Sequence, residues 1–319
     1  MKAAVVTGKD KIEIKDVPIP ALEPDSVLVR VEAAGICNAT DLRILRSEDP
    51  TKVWPNQKWP FIMGHEICGS VVKVGAGVKG WKVGERFAGC GPHQGGYAEY
   101  CLVHPAKIAA VKVPSSMNST TGTLLESAMG AMRYLMRDNI HKRLDGARSA
   151  YIAGLGPSGL VYLMECLCMG IKTVYVSGNH ETRRKLAREL GATEVFKPDE
   201  NPADILSERG VSVDLAIDTT GRNMSGDFLK ILRRGGVIVP FGVGYDWKQN
   251  QKELSAIDVI LADGAYAEAA KAAPFIFDWL MSGKMPLEKI VTRIIALEEL
   301  ADAFAAIDQR KEIKVVVKF

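Results

Sequence analysis

A cysteine, a histidine and a glutamate stand close together in the first part of the chain. Cys37 lies in GICNATDLRIL, and His65 and Glu66 are adjacent in PFIMGHEICG. Thiolate, imidazole and carboxylate are the ligand types that zinc takes. Three protein ligands with a fourth position left open make a catalytic site rather than a structural one. Spacing alone leaves a second reading open, in which the histidine is held by ordinary polar partners and the cysteine is a core residue.

The other stretch with chemistry in it is 151–184, YIAGLGPSGLVYLMECLCMGIKTVYVSGNHETRR. Gly154, Gly156 and Gly159 follow directly on an apolar run and give the G-x-G-x-x-G spacing, with Leu155, Pro157 and Ser158 between them. The first glycine makes a tight turn, the second lets backbone approach a pyrophosphate, and the third lets the helix pack on the strand. The helix that follows would aim its free N–H groups and positive dipole end at phosphate.

The elements that must carry these residues fall into two kinds. Up to about residue 115 the chain is strand-rich and punctuated by glycine: Val27, Val29 and Val31 alternate in SVLVRVEA, and ICGSVVKVGAG and GYAEYCLV are further strand-like runs. This predicts a compact, barrel-like β domain. From about residue 120 helices alternate with strands. TGTLLESAMGAMRYLMR reads as one helix, and Leu160, Leu163, Met164 and Leu167 make an apolar helical stripe after the glycine turn. TVYVS, VDLAID and VIVPFGV read as strands, ETRRKLAREL and MSGDFLKILRR as helices. That alternation predicts a parallel, doubly wound sheet, hence an α/β chain of two domains.

At 319 residues, with 41 basic and 38 acidic side chains and a formal charge of +3, the chain can bury a large core and has no basic block. Nucleic acid and anionic membrane are therefore not expected as main partners. The start MKAAVVTGKDKIEI has no signal-peptide core, and no apolar run approaches the ~20 residues that span a bilayer, so a soluble, cytoplasmic protein is expected. Six cysteines are scattered without a C-x-x-C pair, which argues against a disulfide framework; Cys166 and Cys168 read as packing residues of one helix.

G-I-C followed by T-D, then G-H-E, G-G-Y-A-E-Y, a later Leu-Glu and G-x-G-x-x-G resembles the zinc-dependent medium-chain dehydrogenase/reductase superfamily of alcohol and polyol dehydrogenases. The match extends over essentially the whole chain, including VDLAIDTTG, LRRGGVIVPFG and the terminal IKVVVKF. The resemblance implies a GroES-like β-barrel catalytic domain built from both chain ends, 1–120 and 263–319, with a Rossmann nucleotide-binding domain at 121–262 between them. It implies that Cys37 and His65 bind a catalytic zinc. It further implies that Glu66 and Glu126 bind it directly or through water, as in the sorbitol and glucose dehydrogenase branch, since no cysteine stands in LLESAMGAM. Asp41 matches the carboxylate that orients the imidazole of His65, and Thr40 the hydroxyl that relays the substrate proton. A homo-oligomer, dimer or tetramer, is implied as well.

The chain departs from that pattern at three points. Cys37-Asn38-Ala39-Thr40-Asp41 carries one residue more than the usual C-x-T-D or C-x-S-D. Arg43 stands near the relay histidine of many alcohol dehydrogenases, and a guanidinium cannot relay a proton at neutral pH. The four-cysteine structural-zinc lobe is replaced by AGCGPHQGG, so one zinc per subunit is expected. Dinucleotide selectivity is read from the end of the second strand, where an NAD site needs an acid. Here the position falls on Gly178, followed by Asn179 and His180, and then by Arg183 and Arg184. Room, donors and positive charge suit a ribose phosphate, so NADP(H) is expected in preference to NAD(H). Thr219, Thr220, Gly242 and Val243 lie where strand ends approach the cofactor. Trp54 and Trp59, with His93, are candidate substrate contacts or ordinary packing residues. The expected activity is reversible oxidation of an alcohol or polyol with NADP(H). The rivals are a zinc-free quinone or enone reductase relative, which elemental analysis would reveal, and a silent nucleotide-binding relative, which would bind NADPH without turnover.

Overall fold

The computed structural model describes residues 1–55, 57–90, 95–242, 244, 246–262 and 266–319. The chain divides into two compact units, Met1–Met129 with Leu287–Phe319, and Gly130–Pro286.

In the first unit a sheet runs in the order Val291–Ile295, Lys314–Lys318, Val27–Gly35, Glu66–Val74, Arg86–Cys90, Ala109–Lys112, and Tyr100–Val103 also pairs with Val27–Gly35. The two chain ends meet here, because Lys314–Lys318 lies antiparallel to Val27–Gly35. A smaller sheet joins Lys11–Asp16, Lys2–Gly8 and Phe61–Ile62. Val27, Val29, Val31, Phe87, Tyr97, Leu300, Phe304, Val315 and Val317 share one core. Each such aliphatic side chain removed from water contributes roughly 1.5–3 kcal/mol. The strand Val27–Gly35 exposes only Arg30 fully, as expected of a strand with neighbours on both sides.

The second unit is a six-stranded sheet, in the order Glu194–Phe196, Thr173–Ser177, Ser149–Ala153, Val213–Asp218, Leu232–Pro240, Ile260–Leu261, with every pair parallel. From Ser149–Ala153 the chain winds first to one side and then, starting at Val213–Asp218, to the other. The carboxyl ends of these two strands are therefore the switch point where such sheets bind nucleotides. The parallel, doubly wound sheet expected from the alternation is present, with the Rossmann organisation that the resemblance implies.

Two elements differ from the sequence reading. The single helix expected over TGTLLESAMGAMRYLMR is two, Ser119–Thr123 and Leu125–Met132; the turn tightens at Leu124, whose N–H donates to Thr121 O at 3.0 Å. The helix expected over MSGDFLKILRR stops at Ile231, and Leu232 already pairs with Val213 in the next strand. Gly235, at φ +75°, supplies the irregularity that brings the register back at Val237. Among the described residues no helix is long and apolar enough to cross a membrane.

Candidate functional site

Strand pairing builds the candidate metal-ligating group. Gly35 at the end of one strand is registered against Glu66 at the start of its antiparallel neighbour, which brings Cys37 next to His65. Glycine at 35 leaves room for the Glu66 side chain, since a Cβ there would sit 2.4 Å from Glu66 Oε2 and 3.3 Å from its Cβ. Gly64 turns the chain at φ +99°, where an added Cβ would lie 2.9 Å from Tyr97 N. One donor atom from each of Cys37, His65 and Glu66 lies within 4.8 Å of the others. His65 and Glu66 are buried and Cys37 half-buried. A largely buried, mixed sulfur, nitrogen and oxygen donor set suits zinc.

Asp41 stands behind this group, fully buried on the short helix Thr40–Leu45. Its Oδ1 faces His65 Nδ1 at 3.3 Å, while Oδ2 accepts from Cys37 N at 3.0 Å and from the hydroxyl of Tyr97. With Nδ1 so occupied, Nε2 is the nitrogen His65 can offer a metal. Burial pushes the Asp41 carboxyl up, but His65, Tyr97 and the Cys37 amide outweigh it and hold the group below its usual range. Burial works against a charged His65 too, yet the Asp41 carboxylate and the Cys37 side chain hold its pKa well above the ordinary value.

Thr40 donates its backbone N–H to Cys37 Sγ at 3.4 Å. Within this longer loop Asn38 Nδ2 donates to Ile313 O at 2.8 Å, just ahead of the last strand Lys314–Lys318. Arg43 points to solvent. Glu126, half-buried in the first turn of Leu125–Met132, is not one of the three grouped donors. Its charge does act on Lys314.

Lys314 was not foreseen. It is 1% exposed, and its Nζ forms an ion pair with Glu66 Oε2. Burial lowers its pKa, but Glu66, Cys37 and Glu126 together raise it above the usual lysine value, so it stays charged. A lysine opening the apolar run KVVVK was the one available signal, because strands buried on both faces rarely hold an unpaired ammonium. Of the aromatic candidates, Trp54 lies against His65, with ring centroids 5.6 Å apart, whereas Trp59 stacks on Phe61 at 5.1 Å. His93 and Val243 lie outside the described residues.

The second unit carries the candidate dinucleotide cradle. Gly154 turns at φ +98°, and a Cβ there would meet Thr219 Oγ1 at 2.5 Å. A Cβ on Gly159 would lie 2.0 Å from Gly154 O, so the helix Pro157–Cys168 can approach only with glycine in that place. A Cβ on Gly156 would meet nothing within 4 Å, and that open space at a helix N-terminus fits a pyrophosphate. Ser158 is half-exposed on the first turn, while Leu155 is buried and packs where a Gly178 side chain would otherwise go. Thr219 Oγ1 donates to Ala153 O at 2.9 Å, Thr220 Oγ1 to Asp218 Oδ1 at 2.7 Å, and Gly242 packs against Gly221; all three brace the switch point. Asn179 is exposed, and His180 and Arg183 are half-exposed, beyond the strand Thr173–Ser177. Arg184, expected beside the phosphate, is 5% exposed and engaged by Gly178 O and Glu181.

Two family models match: the alcohol dehydrogenase GroES-like domain over residues 23–115 and the zinc-binding dehydrogenase over 157–267. An alcohol dehydrogenase of Geobacillus stearothermophilus is 30% identical, over 98% of this chain and 96% of that protein. The chain belongs to the zinc-type medium-chain alcohol dehydrogenase family. Another family member, the (R,R)-butanediol dehydrogenase of Bacillus subtilis (strain 168), is 27% identical over 100% of this chain and 99% of its own. Among solved structures, an alcohol dehydrogenase from Thermus sp. ATN1 has the same fold, with a TM-score of 0.85 at 22% identity, covering 100% of this chain and 99% of that one.

Proposed function

We propose that this family member is a zinc-dependent dehydrogenase that oxidises an alcohol or polyol with NADP(H), and reduces the corresponding carbonyl in reverse. The observation that carries this reading is the buried group of Cys37, His65 and Glu66, with Asp41 fixing the imidazole. Cys37 and His65 hold the metal, and Glu66 or Glu126 supplies the carboxylate. When bound, zinc supplies Lewis acidity to the substrate oxygen, and the nicotinamide exchanges hydride with the substrate carbon.

The chain's own residues do the rest. Asp41 keeps the His65 imidazole in one orientation, and Tyr97 and the Cys37 amide keep Asp41 in place. Lys314 balances the charge of Glu66, so that thiolate and carboxylates can share a buried site. The Thr40 hydroxyl, on the first turn beyond Cys37, carries the substrate proton. Gly154, Gly156 and Gly159 admit the pyrophosphate, and Asn179, His180 and Arg183 surround the ribose phosphate. Trp54 walls the site beside His65, and a metal sphere rich in carboxylate favours substrates with adjacent hydroxyls. The protein acts as a homo-oligomer on a small-molecule substrate.

The test is a panel of alcohols, polyols and carbonyls with both nicotinamides, run beside a zinc measurement. Turnover with NADPH or NADP and bound zinc is expected. Turnover without zinc would favour the quinone reductase type of chemistry, and NADPH binding with no turnover a silent relative. Arg183→Ala is expected to weaken NADPH far more than NADH; equal loss would contradict the phosphate assignment.

A further inference from the structure

The first acid after Gly178 in the sequence is Glu181, which opens the helix Glu181–Glu189. It does not face away from its own helix unengaged. Arg184 Nε and Nη2 donate to Glu181 Oε2 at 3.1 and 2.5 Å, and Arg188 Nη1 donates to Oε1 at 3.3 Å. The same Arg184 guanidinium donates through Nη1 to Gly178 O at 2.7 Å. Arg184 is 5% exposed, so it is a fixed post between the strand end and the first helical turn, while the Glu181 side chain is 68% exposed.

This arrangement bears on cofactor choice. A carboxylate at the end of the second strand accepts from ribose hydroxyls and repels a ribose phosphate. Between Ser177 and Arg184 the chain has one carboxylate, Glu181. Held against two guanidiniums of its own helix, it has its charge compensated and its lone pairs occupied. The neighbouring loop is pinned by its Gly178 carbonyl through the same arginine.

Resting on the NADP(H) reading above, we propose that the Glu181–Arg184 clasp is the device that sets selectivity for the ribose phosphate: Arg184 acts as a positioning residue that withholds Glu181 from the ribose, not as a phosphate ligand. Removing the arginine frees a carboxylate beside the phosphate position. Removing both members leaves neither restraint nor repulsion.

The test is calorimetric binding of NADPH and NADH to the intact protein without substrate, for wild type, Arg184→Met, Glu181→Gln and the double variant, each first checked for a cooperative thermal transition. The ratio of the NADH to the NADPH dissociation constant is the quantity read. Arg184→Met is expected to lower it by about tenfold, on the order of one strong charge contact, and the double variant to restore it to within about threefold. The exposed Glu181→Gln change, which folding tolerates, is expected to leave the ratio unchanged or raise it. A fall in Arg184→Met that the double variant does not restore makes Arg184 a direct phosphate ligand and overturns the clasp. An unmoved ratio in Arg184→Met, or a fall in Glu181→Gln, overturns it as well; should Arg184→Met not fold, the Glu181→Gln ratio and the double variant decide. A wild-type ratio at or below one overturns the NADP(H) reading itself, whereas the clasp is judged by the change between variants whatever the starting value.

Discussion

At the scale of single residues, the site depends on Asp41 being a carboxylate and not merely polar. Its two oxygens face three groups: Oδ2 accepts from the Cys37 amide and the Tyr97 hydroxyl, and Oδ1 lies 3.3 Å from Nδ1 of the His65 imidazole. An amide in its place has one accepting oxygen and turns an NH2 group toward one or more of these donors. Asp41→Asn is therefore expected to weaken zinc binding by roughly 10–100-fold, read by competition with a chromogenic chelator. Unchanged affinity would mean that the imidazole needs no such support. The three glycines were legible because they belong to a short segment with a strand before it and a helix after it, whereas Cys37 and His65 were only candidates by residue type and Asp41 was visible through the resemblance alone. Lys314 was not, since its partner Glu66 comes from the opposite part of the chain and only strand pairing joins them. Arg184 was legible as a cation but not by its partner, although its i, i+3 spacing from Glu181 was a signal at hand.

At the scale of elements, the helix after the glycine turn carries an unusual passenger. Glu165 on Pro157–Cys168 is wholly buried, and among the described residues neither carboxylate oxygen has a hydrogen-bond partner. Burial alone pushes its pKa well above the ordinary value. The folded state therefore binds this proton more tightly than the unfolded chain does. The favourable contribution is complete below the unfolded carboxylate range and is lost as pH rises toward the folded value, so the group weakens the fold at neutral and alkaline pH. Glu165→Leu is expected to stabilise by about 1–3 kcal/mol near pH 8, measured by denaturant unfolding, with a smaller gain near pH 5. A gain independent of pH, or a loss, would show that the carboxylate is satisfied. The helix and its apolar stripe followed from spacing; that its carboxyl faces inward did not, because the sequence does not reveal which side of a helix buried on most of its faces is covered last. For the same reason the break at Leu124 and the early start of the strand at Leu232 escaped a reading by period.

At the scale of the whole molecule, the two units each carry one part of the proposed chemistry: the candidate donor group in Met1–Met129 with Leu287–Phe319, and the candidate cradle in Gly130–Pro286. The first unit is closed by pairing Lys314–Lys318 with Val27–Gly35, so the last strand of the chain also delivers Lys314 to the metal group. This non-local closure was visible only through resemblance, whereas the βα alternation of the second unit was plain from periodicity. The measurement that bears most directly on the proposed function is a zinc titration of the metal-stripped, folded protein, following NADPH oxidation by a carbonyl substrate that the panel has identified. The rate is expected to rise from near zero and to level off at about one zinc per chain. Full activity in the stripped protein, unaffected by added zinc, would contradict the assignment of Cys37, His65 and their carboxylate partner as a catalytic metal site.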